Sequence, residues 1–221
     1  MTQPMQLRVA FHTLPFARWG PLFQVFCLEQ PGVRLEWQAV GFPRRGRPVL
    51  DGAEVGLFVA PPHQDGLSAL TIEASRMVVL MAVGHPLTRY DELSVADVLD
   101  EPFPGGPDLH PQWRAFWTLD DQRGGPPRLS GDHVERPEQG LDAVAAGRAI
   151  ATVPATLASG LPHPGVVAMP LNDGPSVPTR LVWRSDDDNP MVRALVDLAR
   201  AWTQSGSTLG REPSGPIPRN S

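Results

Sequence analysis

The apolar positions of the chain fall into short runs of two periods, and the longest unbroken run organises the rest. Met77 to Val83 is apolar at seven consecutive positions, with Gly84 and Pro86 directly behind it, the pattern of a strand buried on both faces. A helix needs more length and does not survive that ending. Ahead of it, Leu7, Val9 and Phe11 alternate with their neighbours and predict a first strand from Leu7 to Leu14, closed by Pro15. Val33, Leu35, Trp37 and Ala39 predict a second strand, and Val55 to Val59 a third. Between the first two, Phe16, Trp19, Phe23, Phe26 and Cys27 recur at helical spacing up to Pro31-Gly32. A proline inside a helix costs about 3 kcal/mol, which predicts that the regular helix starts at Pro21. After the Arg44-Arg45-Gly46-Arg47 loop a short helical turn is expected to end near Asp51-Gly52. The first lobe therefore reads β-α-β-α-β, with parallel strands, right-handed crossovers and Met77–Val83 as its last strand.

A second, shorter set of units follows. Ser94, three residues before Asp97, predicts a helix cap ahead of Val95 to Leu99. Trp113, Phe116 and Trp117 mark a short helix, and a strand is expected around Leu129 to Val134. Pro137 and Glu138 open another helix, with Leu141, Val144 and Ala145 inward and Gly147 at its end. Ala149 to Val153 and Val166 to Leu171 read as strands, and Pro154 starts a helical turn. The chain then returns to the first lobe through Leu181-Val182-Trp183, and Asn189-Pro190 caps a last helix, Met191 to Gln204, striped by Leu195, Leu198 and Trp202. This predicts a discontinuous lobe I (1–90 and 166–204), a lobe II (91–165), and a disordered tail (205–221) of aperiodic glycine, serine, proline and arginine. Function is expected in the crevice beyond the carboxyl ends of the strands.

Composition removes whole classes of chemistry. All 19 basic residues are arginine, so Schiff-base, phosphate-loop-lysine and lysine-base mechanisms are excluded. A formal charge of −5 has the wrong sign for a surface that grips phosphates throughout. Cys27 is the single cysteine, which excludes a disulfide framework and a thiolate metal cage and fits a reducing compartment. The histidines at 12, 63, 85, 110, 133 and 163 have no metal-ligand spacing. No metal and no cofactor is predicted. There is no G-x-S-x-G elbow, no secretory signal and no run near the ~20 apolar residues that cross a bilayer. A cytoplasmic protein without catalytic activity is the expectation.

Several segments in order resemble one family. Gln30-Pro31-Gly32-Val33, Leu50-Asp51-Gly52-Ala53-Glu54, Gly84 to Leu87, Leu93 to Phe103, Val144 to Ala155, Leu181 to Arg184 and Asn189 to Ala194 together resemble the effector-binding domain of LysR-type transcriptional regulators, over about residues 6 to 204. The resemblance implies an α/β, two-lobed fold of the type II periplasmic-binding class, each lobe a mainly parallel sheet flanked by helices. It implies a small effector between the lobes, expected to be a carboxylate, a homodimer or higher oligomer paired through the exposed faces of the Phe16–Gln30 helix and of a second-lobe helix, and DNA contact only through a winged helix-turn-helix. Met1 stands a few residues before the first strand, so the chain is expected to be either an isolated sensing domain or a free-standing relative that does not bind DNA itself.

The resemblance also assigns the effector contacts. They are Thr13, Leu14 and Pro15 after the first strand; Ala60 and Pro61 after the third; Pro104, Gly105 and Gly106; and Glu135, Arg136 and Pro137, with Val153 and Pro154 behind them. Helix starts there would offer unpaired N–H groups to a carboxylate, Thr13 a hydroxyl, and Arg136 a bidentate fork. Pro61-Pro62 stands where relatives often carry a small hydroxyl residue, which suggests a more apolar ligand. His12 is expected to be structural, and the three arginines of the 44–47 loop solvated. The fold has an enzyme alternative, because Thr179-Arg180-Leu181 matches two of the three letters of the Thr-Arg-Phe signature of prephenate dehydratases, but the rest of the chain resembles LysR domains. An exported solute receptor of the same fold would need a signal sequence.

Overall fold

The structure, a computed structural model, describes residues 5–12, 15–61, 63–106, 108–160 and 163–205, without the side chains of 15–17. Thr13, Leu14, Pro62 and the expected tail beyond Ser205 lie outside the described residues. The chain divides into two compact units, one running to Ala74 and resuming at Pro178, the other Ser75–Val177.

The first unit grows from β1 (Met5–Phe11), whose alternate residues Leu7 and Val9 enter one core and Ala10 another. It pairs in parallel with β2 (Val33–Ala39), Val9 opposite Trp37, and with β3 (Val55–Val59), Phe11 opposite Leu57. Strand β8 (Val177–Arg184) runs antiparallel to β3 and separates it from β4 (Leu67–Ser75), giving the order β2-β1-β3-β8-β4. Helices α1 (Pro15–Glu29) and α6 (Pro190–Gln204) cover one face of this sheet. The helix α1 begins six residues earlier than expected and carries Pro21 in its interior. Trp19, Leu22, Phe23 and Phe26 are all buried, at about 1.5–3 kcal/mol each, and that outweighs the ~3 kcal/mol proline cost. Asn189 caps α6 as expected, its Oδ1 accepting the Met191 N–H at 2.9 Å.

The opposite face is covered by a loop instead of a helix. Asp51 and Gly52 both have positive φ, 47° and 86°, and two successive left-handed residues cannot continue the expected helical turn. Val49, Leu50 and Ala53 of this loop pack with Ala10, Phe58 and Val182. Gln64 ties it down, accepting the Val49 N–H and donating to the Arg47 carbonyl, both at 3.2 Å. Gln38 and Arg184 donate to the carbonyls of Asp51 and Ala53.

Beneath the loop, Phe58 folds back along its own strand. A Cβ added at Gly56 would lie 2.0 Å from Phe58 Cε2, so the ring occupies the space that any other residue at 56 would fill. Gly56→Ala is therefore expected to destabilise the first unit by about 1–3 kcal/mol through overpacking. Urea unfolding with an unchanged midpoint would contradict this.

The second unit is built on β5 (Met77–Ala82), buried at five of its six residues. Its partners are β6 (Ala151–Pro154) and β7 (Val166–Pro170), both antiparallel, in the order β6-β5-β7. This differs from the expectation twice. The Met77–Val83 run is the centre of the second sheet rather than the last strand of the first lobe, and this sheet is antiparallel. The unit boundary accordingly falls at Ser75 and Val177 instead of near residues 90 and 166. Around the sheet lie α2 (Val95–Val98), α3 (Pro111–Trp117), α4 (Pro137–Ala145) and α5 (Ala155–Ala158). Asp97 accepts from both the N–H and the hydroxyl of Ser94, at 2.8 and 2.7 Å, fixing the predicted cap. The strand expected at Leu129 to Val134 is reduced to one bridge, Phe103 to Leu129, because Gly131 at φ +83° turns the chain away.

Candidate functional site

In the first unit, β1 and β3 are parallel neighbours, so their carboxyl ends lie side by side. Pro15, at the start of α1, follows the first, and Ala60 and Pro61 follow the second. Ala60 and Pro61 are buried. Ala60 has φ +41°, a region that costs a non-glycine residue roughly 1–3 kcal/mol and that clusters at ligand sites. Its N–H donates to the Pro178 carbonyl at 2.7 Å, which holds it there. Thr13 and Leu14, the other two contacts expected at this edge, fall outside the described residues.

His12 directly follows β1 and is 6% exposed. Its ring lies 4.6 Å from the Phe58 ring and edge-on to Phe42 at 6.4 Å. Burial pushes its pKa down to about 3, and no charged neighbour contributes. The buried hydroxyls of Ser75, Thr118 and Thr152 all make hydrogen bonds. His12 and Thr179 are the buried polar side chains of the first unit among the described residues. Both sit where β1 and β3 end, since Thr179 pairs with Val59.

In the second unit the expected contacts hang from one hydrogen-bonded frame. The Phe103 N–H donates to the Arg128 carbonyl, the Ser130 N–H to the Phe103 carbonyl, and the Ile150 N–H to the Pro102 carbonyl, at 2.8 to 2.9 Å. Pro104, Gly105 and Gly106 leave directly from this frame. Gly105 has φ +143°, and a Cβ there would stand 3.2 Å from Leu109 Cδ1, so only glycine makes this turn without strain. Asp132 accepts from Ser130 and from two nitrogens of Arg148, and the Arg148 guanidinium, first, and the Ser130 hydroxyl hold its carboxyl below the usual range. Glu135, Arg136 and Pro137 form the start of α4. Two of the donors there are already taken, because Gln139 Oε1 accepts the N–H groups of Glu135 and Arg136 at 2.7 and 3.2 Å. The Glu135 carboxylate lies 3.2 Å from His133 Nε2, and Arg136 is exposed. Val153 pairs with Val78 and Pro154 with Met77, so both belong to β6.

The LysR substrate binding domain, as a family model, matches residues 4–204. The chain belongs to that family. It is an effector-sensing domain of the LysR type, and the family is regulatory. Solved structures agree in fold. The BenM effector binding domain with its effector benzoate aligns with a TM-score of 0.69 at 18% identity, over 99% of this chain and 100% of that one. The QuiR effector binding domain in complex with shikimate gives 0.71 at 17%, over 90% and 97%. Full-length CbnR complexed with its target DNA gives 0.67 at 19%, over 90% of this LysR domain and 71% of CbnR. No match is found among functionally curated proteins. Among the described residues no helix is long and apolar enough to cross a membrane, and no group of metal-ligating side chains is present.

Sequence reasoning missed the conformation of Ala60, for which the sequence carries no signal. It also missed the Gly56–Phe58–His12 stack. The signal was a glycine inside an otherwise apolar strand, Val55-Gly56-Leu57-Phe58-Val59, which marks a close approach.

Proposed function

We propose that this LysR domain binds a small organic acid through Thr13, Leu14, Pro15, Ala60 and Pro61 in its first unit. In its second unit we place the contacts on Pro104 to Gly106 and Glu135 to Pro137, with Val153 and Pro154 behind them. The observation that carries this reading is the buried left-handed Ala60 at the paired ends of β1 and β3, a strained backbone held at the sheet edge where ligands bind in this fold class. The acids named with the BenM and QuiR domains, benzoate and shikimate, both carry a carboxylate and support that ligand class. In an intact regulator, the effector would shift how an oligomer sits on its operator, a coupling of two binding equilibria. The reading includes the absence of turnover. Thr179 is buried in β8 and Arg180 Nε donates to Thr71 Oγ1, so prephenate incubated with the protein is expected to stay unchanged.

Thermal unfolding against a panel of organic acids tests it. An effector at a hundredfold its dissociation constant adds about 2.7 kcal/mol, or roughly 5–10 °C in a chain of this size. Gly105→Ala, which strains the loop, is expected to abolish the shift. A panel including benzoate and shikimate that moves nothing would overturn the reading. Copies are expected to pair through the outer side of α1, where Leu28 is exposed; sedimentation equilibrium finding only monomer at high concentration would overturn that part.

A further inference from the structure

We propose that the corner between α3 and the turn Asp120–Gln122 that follows it, in the second unit, binds a phosphate-type oxyanion through Arg114, Trp117 and Arg123. The inference is independent of the effector reading, which uses none of these residues. Four observations carry it. The Nε atoms of Arg114 and Arg123 and the Nε1 of Trp117 are shut off from water without a hydrogen-bond partner, and the three residues lie within one stretch of ten. The chain gathers them around Thr118, whose N–H donates to the Arg114 carbonyl at 2.9 Å and whose carbonyl accepts from Arg123 Nη2 at 3.0 Å. Asp120, the acid inside this corner, accepts from the Thr118 hydroxyl at 2.7 Å, and among the described residues no ion pair joins it to either arginine. Leu119, between them, is buried in the left-handed region at φ 59° and ψ 38°, a strained conformation for a branched side chain that clusters at ligand sites. Enclosed donors are normally paired, so three together mark a place where the acceptor arrives from outside the chain.

The donor set gives the ligand class. Two guanidinium groups stay cationic at every physiological pH and present flat forks that match oxyanions, and the indole adds a neutral donor. A phosphate group carries close to two negative charges and three acceptor oxygens, whereas a carboxylate has one charge and two oxygens. Two positive charges and three separate donors therefore suit the phosphate better. The net charge of −5 makes such a site a local exception on this chain rather than part of a general affinity. Flat surfaces stand beside the donors: the Arg123 guanidinium carbon lies 5.4 Å from the centre of the Phe103 ring, and Trp117 packs edge-on to Phe116 at 5.0 Å. Free phosphate and a ring-bearing phosphate monoester share the recognition chemistry, and the monoester would use these surfaces as well.

The test is NMR of the isotope-labelled full chain titrated with inorganic phosphate, with sodium chloride at matched ionic strength as the control and phenyl phosphate as the second ligand. The indole and guanidinium Nε signals are assigned through Trp117→Phe, Arg114→Gln and Arg123→Gln. The expected result is a saturable shift of all three signals with phosphate and none with chloride. Either arginine substitution should weaken phosphate binding by about tenfold. Phenyl phosphate binding more than about threefold tighter than phosphate would identify an organic monoester as the ligand, and equal affinity the free ion. Shifts that follow chloride equally, shifts that never saturate, or unchanged affinity in both arginine variants would overturn the site and leave the effector reading standing. Saturation of these signals by benzoate but not by phosphate would overturn the ligand class. Thermal unfolding identifies a variant that loses binding by misfolding, and the titration of the unsubstituted chain then decides by itself.

Discussion

Phe58→Ala is expected to lower the stability of the first unit by about 3–5 kcal/mol, the range for truncating a buried aromatic ring to alanine. The ring is fully buried and belongs to the smaller of the two cores of the first unit, with Ala10, Val49, Leu50, Ala53 and Val182. It also fills the space above Gly56 and supports one face of His12. Nothing nearby is free to collapse into the cavity, because the covering loop is tied to backbone carbonyls by Gln64, Gln38 and Arg184. Urea unfolding of the variant should therefore show the first unit melting well before the second. A loss under about 1 kcal/mol would mean that the loop relaxes into the gap and that the packing here is loose.

The second large effect is on the acid side of neutrality. His12 is neutral in the folded chain, with its pKa pushed down to about 3 by burial, whereas an exposed histidine titrates near 6.5. Below about pH 6.5 the unfolded chain binds a proton that the folded chain excludes, so unfolding gains on folding as the pH falls. The contribution is fully present above that pH and is lost toward pH 3, at up to about 1.4 kcal/mol per unit. Between pH 6.5 and 4.5 the loss should reach about 2.3 kcal/mol. The acidic groups Glu54, Asp97 and Asp132 have lowered pKa values and act mainly below that window. His12→Phe should flatten the profile between pH 6.5 and 4.5; parallel curves for the two proteins would show that the imidazole is not excluded from its proton in the fold.

The elements that could be read from the sequence are those whose partners are local. Strand β1 shows its alternation, α6 announces itself through Asn189 and Pro190, and α4 through Pro137, because caps and periodicity are fixed by neighbouring residues. Strand β4 contributes only Leu70 and Ile72 to the first core, too few to stand out from a mixed segment. For β5 the element was legible and its place was not: the run of apolar side chains demands burial on both faces, but the sheet that supplies it is chosen by β6 and β7, some seventy or more residues away and running the opposite way. The α1 start was misplaced because a local rule about proline yielded to burial of a four-residue apolar stripe. Ala60 and His12 illustrate the limit for the site. A backbone dihedral leaves no mark on residue choice when alanine occupies it, and the burial of His12 depends on Phe42 and Phe58, brought in by other segments.

The insertion of β8 between β3 and β4 sets an order of events during synthesis. The two flanking strands are consecutive in the chain, yet neither is hydrogen-bonded to the other, and the strand that joins them is reached only after the whole second unit has been made. Closing that loop of about a hundred residues costs entropy that grows with the logarithm of its length, unless the loop has already condensed. The second unit, contiguous in sequence, is thus positioned to fold first and to bring β8 within reach. Until then the sides of β3 and β4 that β8 will occupy stand open as unprotected edges, the segments of a nascent chain most prone to pair with a neighbour's strand.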